Sequence, residues 1–180
     1  MTKNIVSSCA LCIALGLPAC SDISDLGVIE SVGTDQVQRV TAKASKPELV
    51  QGEMISITYN YDTLPKPALL SGLALQLHWS SEYLEFSEIH DSLTKGLIGI
   101  DELQVDTNDL DDDSTTDRYI VIGWADFPVG AWPKTDTWPQ PLFSADFVAK
   151  RSGDSPVNLT ASATAMNYAF QGRSIIVTVN

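Results

Sequence analysis

The segment 106–117, reading Asp-Thr-Asn-Asp-Leu-Asp-Asp-Asp-Ser-Thr-Thr-Asp, is where side chains of one chemistry crowd closely enough to act together. From residue 101 onward the chain carries Asp101, Glu102, Asp106, Asp109, Asp111, Asp112, Asp113 and Asp117, with no Lys or Arg before Arg118. So many carboxylates in one loop repel one another, and a hard divalent cation with oxygen ligands removes that repulsion. Ca2+ suits such a site better than a transition metal does. Asp109, Asp111 and Asp113, followed by Thr115 and Asp117, fall on the alternate positions of an EF-type loop. Ser114 stands where that loop has its glycine and Ile120 where it has its bidentate glutamate, so a true EF-hand is excluded. The expectation is a looser Ca2+ site drawn from Asp106, Asp109, Asp111, Asp113 and Asp117, with Asp126 as a further donor. The competing reading is a solvated acidic loop, which is what charge runs usually are.

A second group follows closely. Trp124, Trp132 and Trp138, with Tyr119 and Phe127, could offer flat apolar faces with polar rims for a sugar ring or a protein partner. Trp124 lies inside an apolar run and is expected in the core. Trp132 and Trp138 precede Pro133 and Pro139 in a loop with Gly130, Thr135 and Thr137, so Trp132, Trp138 and Phe127 are the candidate ligand contacts. Catalysis has no comparable support. There is no nucleophile beside a base, no glycine-rich phosphate cradle and no paired-histidine metal spacing. His78 and His90 have no second His or Cys at ligand spacing and are read as solvated or hydrogen-bonded structural residues. The chain is therefore expected to bind rather than to catalyse.

The elements that must position these groups are short β-strands. Residues 37–44 are β-prone, and Ile55, Ile57, Tyr59 and Tyr61 alternate with polar neighbours. Leu73, Leu75, Leu77 and Trp79 do the same, with Ala74, Gln76 and His78 on the opposite face. A strand covers 83–89, while 97–105 fits either a strand or a short helical turn. Residues 119–124 are apolar at every position, as a strand covered on both sides should be. Further strands are read at 142–149, 156–163, 168–170 and 174–179. With no helical stripe after residue 36, eight or nine such strands indicate an all-β, two-sheet β-sandwich.

The ends and the charge bound where such a domain works. Lys3 and the apolar run 5–17 have the form of an export signal, too short for a resident membrane span. It closes on Leu17-Pro18-Ala19-Cys20, which resembles the lipobox of bacterial lipoproteins and makes Cys20 the expected lipidation site. Ser21 after that cysteine goes, in lipoproteins generally, with the outer membrane. Domain boundaries follow: 1–19 as signal, 20–36 as a flexible tether, 37–180 as the folded domain. Cys9 and Cys12 leave with the signal, so the domain has neither a disulfide nor a cysteine metal site. A net charge of −12 excludes nucleic acid and anionic headgroups as partners, leaving the lipid anchor as the only membrane contact.

The order of elements resembles the cohesin domains of bacterial carbohydrate-degrading complexes, within the wider group of carbohydrate-binding-domain-like (jelly-roll) sandwiches. The likeness rests on Gly52-Glu53 before the second strand, on Leu73 to Trp79 followed by Leu84-Glu85-Phe86, on Leu142-Phe143 opening an alternating run, and on the closing 172–177. It spans nearly all of 37–180. The acidic loop and the tryptophan loop have no counterpart in it. What the resemblance implies is protein–protein recognition with a dockerin-like partner. A polysaccharide held by the loop tryptophans, or a purely structural role in the envelope, are the alternatives that the residues leave open.

Overall fold

The computed structural model describes residues 36–66, 70–126 and 130–180. The export signal, Cys20 and all but the last residue of the tether lie outside the described residues, as does Phe127. Among the described residues there are twelve strands and no helix: β1 (Val37–Ala44), β2 (Glu48–Leu49), β3 (Met54–Leu64), β4 (Gly72–Trp79), β5 (Leu84–His90), β6 (Leu97–Ile100), β7 (Gln104–Val105), β8 (Arg118–Ala125), β9 (Gln140–Ala149), β10 (Gly153–Ala163), β11 (Ala169–Gly172) and β12 (Ile175–Val179). The excess over nine comes from β2, β6 and β7, which are two to four residues long. Pieces so short carry too few residues to show a period of two. The undecided segment 97–105 resolves into β6 and β7, both paired with β8.

Two sheets face each other. One runs β11-β1-β3-β9-β5, the other β2-β12-β10-β4-β8-β6, with β7 also on β8. Most pairs are antiparallel, and the exceptions, β1 with β11 and β12 with β2, lie at the sheet margins. β3 shows the cleanest cause of the architecture: Ile55, Ile57, Tyr59, Tyr61 and Thr63 are buried while the residues between them are not. A side-chain period of two puts alternate residues on one face, and that face is covered by the second sheet.

The core is aromatic at both ends. Trp79, Phe86 and Phe147 form one edge-packed group. Tyr59, Phe143, Trp124, Trp132 and Tyr61 form a continuous second group. β8 departs from the expected two-sided burial: Ile120, Ile122 and Trp124 are buried, but Tyr119, Val121 and Gly123 are only half-covered.

Candidate functional site

His78, on β4, lies between Asn158 of β10 and Tyr119 of β8 in the ladder. All three belong to the outer face of the second sheet, where alternation predicts solvent. The chain from β7 to β8 folds back over that face instead. Its neck is closed by Asp106 N donating to Asp117 O (3.0 Å), and Asp117 N donates to Trp79 O (3.1 Å). Within it, Asp109 and Asp112 adopt positive φ of 55° and 57°, a region that aspartate tolerates better than most residues. Thr116, buried, turns inward with the loop.

The fold-over buries charge. The side chains of His78, Asp106 and Asp111 are 0, 1 and 0 % exposed. His78 Nδ1 lies 3.5 Å from Asp106 Oδ2 and 4.0 Å from Asp111 Oδ2, and it has no hydrogen-bond partner. On the other side of the ring, Nε2 is 3.0 Å from Thr160 Oγ1, and Thr160 Oγ1 donates to Gln76 Oε1 (3.3 Å). The Tyr119 ring stacks on the imidazole at 5.6 Å. Burial pulls His78 below its ordinary pKa, and the opposing pull of Asp111 and Asp106 does not reverse it. Asp106 is held below the usual carboxylate value even though burial raises it, because the amides of Leu110 and Asn108 donate to its oxygens.

Asn158, one residue among those that sequence reasoning passed over, ties the loop down. Its Nδ2 donates to Asp111 Oδ2 (2.8 Å) and Asp113 Oδ2 (3.0 Å). Thr116 Oγ1 donates to Asp111 as well (2.9 Å). Of the five aspartates expected to share a cation, Asp106 and Asp111 are brought together, with His78, into a group whose ligand atoms lie within 4.8 Å of one another. Asp109, Asp113 and Asp117 are not in that group. Both carboxylate oxygens of Asp117 are taken by Ser81, and Asp113 Oδ1 by Thr115. Of the alternating aspartates 109, 111, 113 and 117, only Asp111 joins the group, so the EF-like alternation does not gather its side chains at one point. Asp126 sits at the opposite end of β8, where its amide bonds Ser71 O (2.9 Å), too far along the strand to join the loop.

No family model matches the sequence, and neither does any curated protein. Solved structures do match. The cohesin module of a Clostridium perfringens family 33 glycoside hydrolase superposes with a TM-score of 0.50 at 16% identity, covering 81% of this chain and 98% of that one. The domain has a cohesin-like fold. A cohesin from Clostridium thermocellum, crystallised in a cohesin–dockerin complex, matches with a TM-score of 0.49 at 10% identity over 79% of this chain and 99% of that one. A type II cohesin from the cellulosome of Acetivibrio cellulolyticus matches with a TM-score of 0.46 at 9% identity over 79% of this chain and 94% of that one.

The tryptophans of this cohesin-like domain are not arranged as a platform. Trp132 is 1 % exposed, with Nε1 donating to Lys95 O (3.0 Å) and its ring against Tyr61 and Trp124. Trp138 is half-buried and also packs on Tyr61, 6.0 Å between centroids, with Lys66 Nζ over its ring. Prolines after both residues marked a loop correctly, but the loop tucks its aromatic side chains into the sandwich end. Exposed apolar surface lies elsewhere. Ile98, Ile100, Leu103 and Val105, on and between β6 and β7, are 66, 40, 53 and 59 % exposed, and β6 is the last strand of its sheet.

Proposed function

We propose that this is an exported protein-recognition module, tethered to the envelope through lipidated Cys20 and binding its partner along the β6–β7 edge. The observation that carries the reading is the row of four exposed aliphatic side chains at 98, 100, 103 and 105, on the free margin of a sheet. Clustered apolar exposure of this kind marks interaction surfaces, and a sheet margin adds unpaired backbone groups that a partner strand or loop can use. Asp101 and Glu102 interrupt the row, so the partner should set basic side chains beside its apolar ones. The cohesin-like fold makes dockerin modules the first class to try.

The polysaccharide reading has less support, since Trp132 belongs to the core and Trp138 is held against Tyr61. The test is direct: dockerin binding by the purified protein, with Ile98→Asp and Leu103→Asp as variants, alongside a glycan array. Binding of a dockerin that both variants weaken supports the proposal, whereas retention of a glycan with no protein partner refutes it. The anchor is checked separately. Cys20→Ser should move the protein from the membrane to the soluble fraction.

A further inference from the structure

We infer that the pocket under the acidic loop is a site for a first-row divalent transition ion, Zn2+ in the first instance, held by His78 Nδ1, Asp106 Oδ2 and Asp111 Oδ2. Three electron-rich atoms, one from β4 and two from the 106–117 loop, converge there, and their side chains are sealed from solvent. Thr160 has one hydroxyl proton and directs it to Gln76, so it accepts from His78 Nε2–H. That leaves the Nδ1 lone pair bare, buried and facing two carboxylates with no donor between them. A buried acceptor left in this way calls for a donating water or a cation, and the two carboxylates facing it favour the cation. Among the described residues, no Lys or Arg forms an ion pair with Asp106 or Asp111.

The donor set selects the ion. An imidazole nitrogen with two carboxylate oxygens suits Zn2+ and its neighbours, whereas Ca2+ takes oxygen throughout. Zn2+ bonds of about 2.0–2.2 Å place tetrahedral donors about 3.4 Å apart; the two histidine–carboxylate spacings of 3.5 and 4.0 Å are close to that, and the group, whose atoms lie within 4.8 Å of one another, would draw inward around the ion. The outer layer is already in place: Thr160 orients the ring, and Asn158 and Thr116 hold Asp111, in the way that partners of metal ligands usually do. The ion would pin the loop to β4, stapling residues 106 and 111 to 78.

The experiment uses tag-free protein stripped with EDTA, returned to chelator-free buffer and titrated by calorimetry with Zn2+ and with Ca2+; Co2+ absorption serves as a probe of nitrogen–oxygen ligation. One Zn2+ per chain, a raised melting temperature and tighter binding of Zn2+ than of Ca2+ are expected. His78→Gln should lose about 100-fold or more in Zn2+ affinity, and Thr160→Val, which keeps all three donors, about tenfold with an altered Co2+ spectrum. No Zn2+ binding, Zn2+ binding indifferent to His78→Gln, or Ca2+ preferred over Zn2+ would each overturn the inference. Should His78→Gln fail to fold, Thr160→Val decides: unchanged affinity and spectrum in that variant would also overturn it.

Discussion

At the scale of single residues, several side chains hold the structure in ways that a measurement can separate from ligand binding. Trp132→Ala removes a buried ring and its hydrogen bond to Lys95 O, and should cost about 3–5 kcal/mol in urea unfolding. A ring reserved for sugar would cost far less. Asn158→Leu leaves Asp111 and Asp113 without their shared donor inside a covered pocket. A loss of about 1.5–3 kcal/mol is expected, the range for hydrogen bonds to charged groups. His90, on the opposite sheet, is clamped by Asp146 at Nε2 and Asp91 at Nδ1, both 3.0 Å away, and the Asp146 bond is the main reason its pKa is raised. A raised histidine pKa stabilises the fold below the unfolded value of about 6.5, and that contribution disappears as pH rises through the folded value. Melting temperature should therefore fall across that window in the parent protein and fall less in Asp146→Asn.

At the scale of elements, the long strands were legible because each buries one face. Ile55 to Tyr61 alternate in sequence and in burial, and Leu73 to Leu77 do the same before the buried His78 breaks the pattern. What alternation could not show is that a loop would return to cover an outer face. His78 sits on the face that periodicity marks as polar, and only the pairing of β4 with β10 and β8, followed by the fold-over of 106–117, makes it a buried ligand candidate. Asn158 was invisible for the same reason. The short β6 and β7 lacked enough residues to declare a period. Glycine matters at one junction in particular. Gly72 opens β4 with φ 151°, and a Cβ there would overlap the Trp124 carbonyl oxygen and crowd Ala125 Cα at 2.8 Å. Gly72→Ala should cost about 1–3 kcal/mol in the same unfolding assay, since the clash is with backbone that cannot rotate away.

At the scale of the whole molecule, a strongly acidic sandwich carries a covered histidine–carboxylate cluster on the outer face of its second sheet and an apolar row at that sheet's margin. The two are neighbours along the chain, because β7 leads directly into the acidic loop. Ordering of that loop would steady β7 and the row beside it, which links the pocket to recognition without placing it in the interface. If a protein partner binds at the β6–β7 edge, changes to its exposed aliphatic side chains must weaken the complex. Calorimetric titration of the purified protein with the dockerin modules of its host tests this most directly. The prediction is binding at about micromolar Kd or tighter to at least one of them, weakened about tenfold or more by Ile98→Asp and by Leu103→Asp, with both variants melting as the parent does. Absence of binding to every dockerin, or binding that neither substitution alters, would contradict it.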